Sequence, residues 1–142
     1  MNFFVADTSV VLKWFGRQDE SLVKQAILIL NDHLDDKIQL IVPDLLLVEL
    51  ANALIFGKTI TPPLVRRSID AVVKSQITIV PVDRNLIHES IYWVDKYQFT
   101  AYDAIYLALA RQNHCRLISA DQKSHGKITD GSVIMLSQYP RI

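Results

Sequence analysis

The chain is 142 residues long, half of them hydrophobic and 21% charged, which excludes a disordered tail and fits a compact globular protein with residues 1–142 in one domain. Fifteen basic and fifteen acidic residues cancel, so no global field announces a polyanionic partner, and unaided nucleic-acid binding would need a local basic patch. The one cysteine, Cys115, excludes an internal disulfide, suits a reducing compartment and reads as a buried structural thiol.

The opening "MNFFVADTSVV" has no basic region and Asp7 interrupts its apolar run, so it does not read as a signal peptide. Continuous, β-branched apolar runs predict strands at Phe3–Asp7, Ile38–Val42, Ile77–Val82, Arg116–Ala120 and Ser132–Leu136. They are continuous rather than alternating, the pattern of strands covered on both faces. After the first strand, "VVLKWF" predicts a short helix. Ser21–Leu34 places Leu22, Ala26, Ile29 and Leu30 on one helical stripe. Asp44–Phe56 opens with a capping acid after a proline, and Thr61–Lys74 opens with a capping Thr followed by proline. Asn85–Tyr97 and Thr100–Ala110 complete the set. The most membrane-like stretch, residues 38–57, holds Pro43, Asp44, Glu49 and Asn52, which argues against a spanning helix and for a cytoplasmic protein.

Strands alternating with helices predict an α/β fold, a parallel sheet between helix layers, with paired helices inserted between the later strands. Ligands of such folds bind beyond the carboxyl ends of the strands, where strand order reverses. Most of the fifteen acids have a solvent reading, and Asp44 and Asp83 read as helix caps. Four remain. Asp7 ends the first strand and also suits a cap for the next helix. Asp121 ends the fourth strand and also suits a turn. Glu49 lies on a mostly apolar helical face with Leu45, Leu46 and Ala53, and Asn52 one turn on could simply hydrogen-bond to it. Asp103 opens the apolar helix "TAYDAIYLALA", and with Thr100 it resembles a capping box.

Each acid alone has an ordinary explanation, but four carboxylates converging on one cleft would repel unless a cation joined them. All-oxygen coordination suits Mg²⁺ or Mn²⁺, hard ions that bind phosphate oxygens. His33, His88, His114 and His125 are scattered without zinc-ligand spacing and read as surface or supporting residues. No "GxxxxGK[ST]" occurs, which excludes a P-loop. The chemistry indicated is metal-assisted phosphoryl-transfer hydrolysis.

At these positions the sequence resembles the PIN-domain ribonucleases, most closely the VapC-type toxins of toxin–antitoxin pairs. The resemblance is carried by "FVADTSVVLKWF", "VPDLLLVELANAL", "TAYDAIYLALA" and "CRLISADQK", in that order from residue 3 to about 123. "GKTITPP" and the tail after Lys123 match nothing diagnostic. The resemblance implies a three-layer α/β/α fold with a central five-stranded parallel sheet, strands 1 and 4 adjacent. It implies an endoribonuclease using Mg²⁺ or Mn²⁺, in which Asp7, Glu49 and Asp103 hold ions or their waters and Asp121 completes the acidic pocket. Thr8 and Ser9 stand where the family carries a small hydroxyl near the metal water, and Asn52 shares the Glu49 stripe. A homodimer held inactive by a cognate antitoxin is also implied.

RNA must be guided past the acids by nearby cations. Lys13, Arg17, Arg84, Lys123 and Lys127 follow predicted strand ends and are candidates, with solvated surface charge as the alternative. Tyr102 and Trp14 are candidates for base stacking, with core packing as the alternative. Three other readings stand beside the toxin. One is a PIN-type nuclease of RNA processing or decay without an antitoxin, and another is a PIN module that only binds. The third is a phosphoacceptor signalling domain, which needs paired acids at the first strand end and a Lys after the fifth, whereas this chain has only Asp7 there and no Lys after "SVIML".

Overall fold

The five apolar runs pair into one all-parallel sheet. A computed structural model describes residues 2–15, 21–57 and 60–140. The strands are β1 (Asn2–Ala6), β2 (Ile38–Pro43), β3 (Thr78–Val80), β4 (Arg116–Ser119) and β5 (Val133–Met135), in the order β3-β2-β1-β4-β5. Val5, Ala6, Leu40, Val42, Leu117 and Ile118 expose no surface, so the central strands are covered on both faces, as their unbroken hydrophobicity requires. The cover is α1 (Thr8–Val11) with a 3-10 turn at Leu12–Trp14, α2 (Val23–Leu34), α3 (Leu45–Phe56), α4 (Pro62–Lys74), α5 (Arg84–Tyr97) and α6 (Ala101–Gln112).

The chain runs outward from β1 through β2 to the edge strand β3, and α5 and α6 then carry it back to β4 on the other side of β1. Strand order therefore reverses between β1 and β4, the crevice where open parallel sheets hold ligands. In that crevice the Asp7 amide donates to the Ile118 carbonyl (3.0 Å), continuing the pairing of Ala6 with Ile118.

Two helices aim side chains at this crevice. α6 is buried without a break from Ala104 to Ala110, as a helix that is apolar all round must be. Asp103 stands where α6 enters the core. α3 buries Leu46, Leu50 and Leu54 completely, each contributing about 1.5–3 kcal/mol. That stripe fixes the rotation of α3 and with it the direction of Glu49.

The structure departs from the sequence reading at several element ends. Asp44 does not cap α3. It is already helical, and its Oδ1 accepts instead from the Val82 amide (3.2 Å), tying β2 to the segment after β3. Asp83 does cap, accepting from the Leu86 amide (2.8 Å). Thr61 holds the N-cap position of α4 without a side-chain bond, because Pro62 and Pro63 leave few amides to cap. β3 is three residues rather than six, since it is an edge strand and Pro81 has no N–H to continue the ladder. His33 is no surface residue: it is buried, with Nδ1 accepting from the Leu40 amide (3.2 Å) and Nε2 donating to the Ser75 carbonyl (2.9 Å). No helix among the described residues is long and apolar enough to cross a membrane.

Candidate active site

Each of the four singled-out acids reaches the carboxyl end of the sheet from a different element. Asp7 follows β1, is 6% exposed, and its Oδ2 accepts from the Ser9 amide (3.0 Å), capping α1. The capping explanation for Asp7 therefore holds, and the cap also fixes its carboxyl at the crevice. Ser9 adds a second tie: its Oγ accepts from the Ala120 amide (2.9 Å), joining α1 to the end of β4. Asp121 forms a turn, with Oδ1 accepting from the Lys123 (3.1 Å) and Ser124 (3.2 Å) amides. The Thr100 hydroxyl accepts from the Asp103 amide (3.2 Å), so Thr100 caps α6 and Asp103 lies in its first turn, the N-cap half of a capping box.

Glu49 is held differently from the Glu–Asn alternative. Asn52 is exposed, and Glu49 Oε1 instead accepts from the Thr8 hydroxyl (2.8 Å) and the Tyr106 hydroxyl (2.6 Å). The two hydroxyl oxygens also lie 2.5 Å apart. Both donors sit on one carboxylate oxygen, which leaves Oε2 as the atom free to meet another group.

The charges of the other acids act on the Glu49 and Asp103 carboxyls. Burial pushes the Glu49 carboxyl above its ordinary value, the Tyr106 and Thr8 hydroxyls pull it down, and the charges of Asp7 and Asp103 push it up further. Burial likewise raises Asp103, His125 and the Thr100 hydroxyl oppose the rise, and Asp7 and Asp121 add to it. Burial and the neighbouring Glu49 and Asp7 charges hold the Tyr106 phenol far above its ordinary range, so it keeps its proton and donates.

Among the described residues, no three or more His, Cys, Asp or Glu side chains are gathered tightly enough to cage an ion. The acids face one another at longer range. The donor set still fits a hard cation: it is all carboxylate and hydroxyl oxygen, the neighbouring acids raise the Glu49 and Asp103 carboxyls, and Mg²⁺ keeps several of its own waters instead of demanding an all-protein cage.

Two residues of the site were not assigned to it from the sequence. Tyr106, 1% exposed, lies three residues after Asp103 on the same helical face, and a buried phenol needs a partner. His125, fully buried, places Nδ1 2.7 Å from Ser119 Oγ, Nε2 2.9 Å from the Asp103 carbonyl, and Nδ1 4.0 Å from Asp7 Oδ1. No spacing rule announces it, because its partners belong to three other segments.

Of the basic candidates, Lys13 donates to the Ser21 carbonyl (2.9 Å) and Lys127 to the Tyr97 carbonyl (3.2 Å). Arg84 is exposed at the start of α5 and Lys123 is exposed two residues after Asp121. Arg17 lies outside the described residues. The Trp14 indole donates to the Ala26 carbonyl (2.8 Å) and packs inward, while Tyr102 beside Asp103 is 59% exposed.

A parallel sheet whose strand order reverses between β1 and β4 defines a class: open α/β proteins that hold ligands at that switch point. Within that class the chain belongs to the PIN domain family, whose model matches residues 4–128. PIN domains are generally nucleases that use divalent metal ions. Solved structures agree on the fold. A toxin–antitoxin complex from Klebsiella pneumoniae has a chain 19% identical, with a TM-score of 0.65 over 96% of this chain and 98% of that one. VapC20 of Mycobacterium tuberculosis, described as a toxin that cleaves the sarcin–ricin loop, is 14% identical, with a TM-score of 0.64 over 96% and 95%. VapBC2 of Rickettsia felis, bound to a promoter DNA fragment, is 11% identical, with a TM-score of 0.68 over 94% and 98%. No curated protein matches the sequence.

Proposed function

We propose that the chain is a Mg²⁺- or Mn²⁺-dependent endoribonuclease, in a single domain of residues 1–142, and the toxin of a type II toxin–antitoxin pair. The observation that carries this reading is the convergence of Asp7, Glu49, Asp103 and Asp121, from four different elements, on the β1/β4 crevice of a PIN fold. These four carboxylates would hold the metal, which when bound supplies an activated water and neutralises charge building on the phosphate. The protein's own part is preorganisation. Thr8 and Tyr106 hold Glu49 by one oxygen, and the Asp7 cap and the Ser9 tie fix the end of β1 against β4.

Arg84 and Lys123, exposed after the carboxyl ends of β3 and β4, with Lys13 and Lys127 as further candidates, would draw a polyanion past the acids. Tyr102 offers an exposed ring beside Asp103 on which an unpaired base could stack. An antitoxin has a suitable surface in the mostly apolar groove of about 420 Å³ between α3 and α4, lined by Ala51, Ile55, Val65 and Ile69. Val48 and Phe56 of α3 are exposed as well, which suits a covering helix that reaches the acids with a basic side chain. Homodimerisation would use a further apolar face such as Ile87, Ile91 and Tyr92 of α5.

The test is cleavage of a mixed pool of structured RNAs by purified protein with Mg²⁺, with Mn²⁺ and with EDTA, beside Asp7→Asn. Metal-dependent cutting absent from the variant supports the nuclease. Cutting that survives either EDTA or Asp7→Asn refutes it. The toxin assignment is tested by co-expression with the product of the adjacent gene: growth arrest by the chain alone, relieved by that product, is expected.

A further inference from the structure

His125 is the one fully buried ionisable group at the crevice, among the described residues, to which the proposed chemistry gives no part. Both of its ring nitrogens have a partner. The Asp103 carbonyl can only accept, so Nε2, 2.9 Å away, carries a hydrogen and donates. Nδ1 lies 2.7 Å from Ser119 Oγ, a hydrogen bond whichever of the two atoms donates. Ser119 Oγ in turn accepts from the Asp121 amide at 3.0 Å. A continuous chain results: the Asp121 amide, Ser119 Oγ, the His125 ring and the Asp103 carbonyl. It joins the backbones of two of the four acids, which repel each other and belong to elements with no strand pairing between them.

We propose that His125 is a positioning residue, a strut that sets the separation of Asp103 from Asp121 and so the width of the acidic pocket. The proposal rests on the metal-nuclease reading for its consequence, not for its geometry. Phe99, packed edge-on to the ring at 5.8 Å, and the 3-10 turn at His125–Lys127 hold the strut in place. Because both ends attach to backbone, losing the strut would let α6 and the segment after β4 part under the repulsion of the acids, without removing any carboxylate.

The test is Mn²⁺ binding by the whole protein, followed by electron paramagnetic resonance, for wild type, His125→Phe, His125→Gln, Ser119→Ala and the double variant His125→Phe/Ser119→Ala. Phe keeps the ring and its contact with Phe99 but none of the hydrogen bonds, and should weaken Mn²⁺ binding about 10- to 100-fold, the usual effect of losing a residue that orients ligands. Gln can still donate to the Asp103 carbonyl and should recover part of the loss. Ser119→Ala breaks the chain at its other end, and the double variant should be no worse than the poorer single. Unchanged affinity in Phe and Ala, or losses that add in the double variant, would overturn the strut. Metal-free hydrogen exchange separates a failed strut from a failed metal reading. The Asp121 amide should exchange at least about tenfold faster in His125→Phe, a coupling within the ordinary range for one hydrogen-bond network. A wild type that binds no Mn²⁺ would sink the metal site alone, while unchanged Asp121 protection in His125→Phe would sink the strut.

Discussion

Replacing Tyr106 by Phe deletes one oxygen from a 1%-exposed ring and leaves its packing intact. The lost bond, 2.6 Å to Glu49 Oε1, is made to a carboxylate. Bonds to charged groups contribute about 1.5–3 kcal/mol, and Glu49 is half-buried and keeps the Thr8 donor, so the lower end applies, about 1.5 kcal/mol. For a chain of this size that corresponds to a fall in Tm of about 3–6 °C. The loss should depend on pH. Tyr106 is the strongest influence pulling the Glu49 carboxyl down, so the bond favours the ionised form and its removal pushes that carboxyl higher still. Metal-free melting on the alkaline side of the raised Glu49 transition, where the carboxylate is charged, should show the full loss. At about pH 4, where the carboxyl is protonated, the bond joins two neutral groups and the loss should fall to roughly half. An equal loss at both values would mean that Tyr106 serves only to pack, and no loss would remove it from the Glu49 site.

Glu49 and Asp103 both have carboxyls raised above their ordinary 4.5 and 3.8, so the unfolded chain ionises first as pH rises and metal-free stability should decline from those values up through the higher folded ones. Asp103→Asn should flatten that decline and raise the metal-free Tm near neutrality, measured by calorimetry across pH; a variant that is markedly less stable throughout would show that Asp103 serves α6 as a structural acid. Leu50→Ala, in the fully buried stripe of α3, should cost about 2–5 kcal/mol in urea denaturation, and less than about 1 kcal/mol would mean that α3 is not anchored through it. Asp130→Asn keeps an acceptor for the Ser132 amide and hydroxyl but removes the charge paired with Arg111, and should change stability by no more than about 1 kcal/mol; a larger loss would give that pair a structural role.

The parallel sheet was legible because strands buried on both faces need unbroken apolar runs, and "IQLIV" and "RLISA" supply them. Strand ends were less legible. A ladder stops where its neighbour stops or where a proline removes the donor, as at Pro81 beyond β3, and neither limit is written in hydrophobicity. The four acids stood out in the sequence because carboxylates on apolar helical faces or at strand ends invite an explanation, and the metal site they would form is the proposal made above. Tyr106 and His125 did not, since an aromatic in a buried helix and a single His in a loop both have ordinary readings until tertiary contacts supply their partners. Asp44 shows the same limit from the other side: its position after a strand suggested a cap, yet the Val82 amide, 38 residues later in the chain, is what it binds.

The central claim is that Asp7, Glu49, Asp103 and Asp121 form one metal site, and calorimetric titration of the metal-free protein with Mn²⁺ tests it most directly. Wild type should bind Mn²⁺, and Asp7→Asn and Asp103→Asn, from different elements, should each weaken binding while remaining folded. Binding that is absent from wild type, or present and indifferent to both substitutions, would contradict the account.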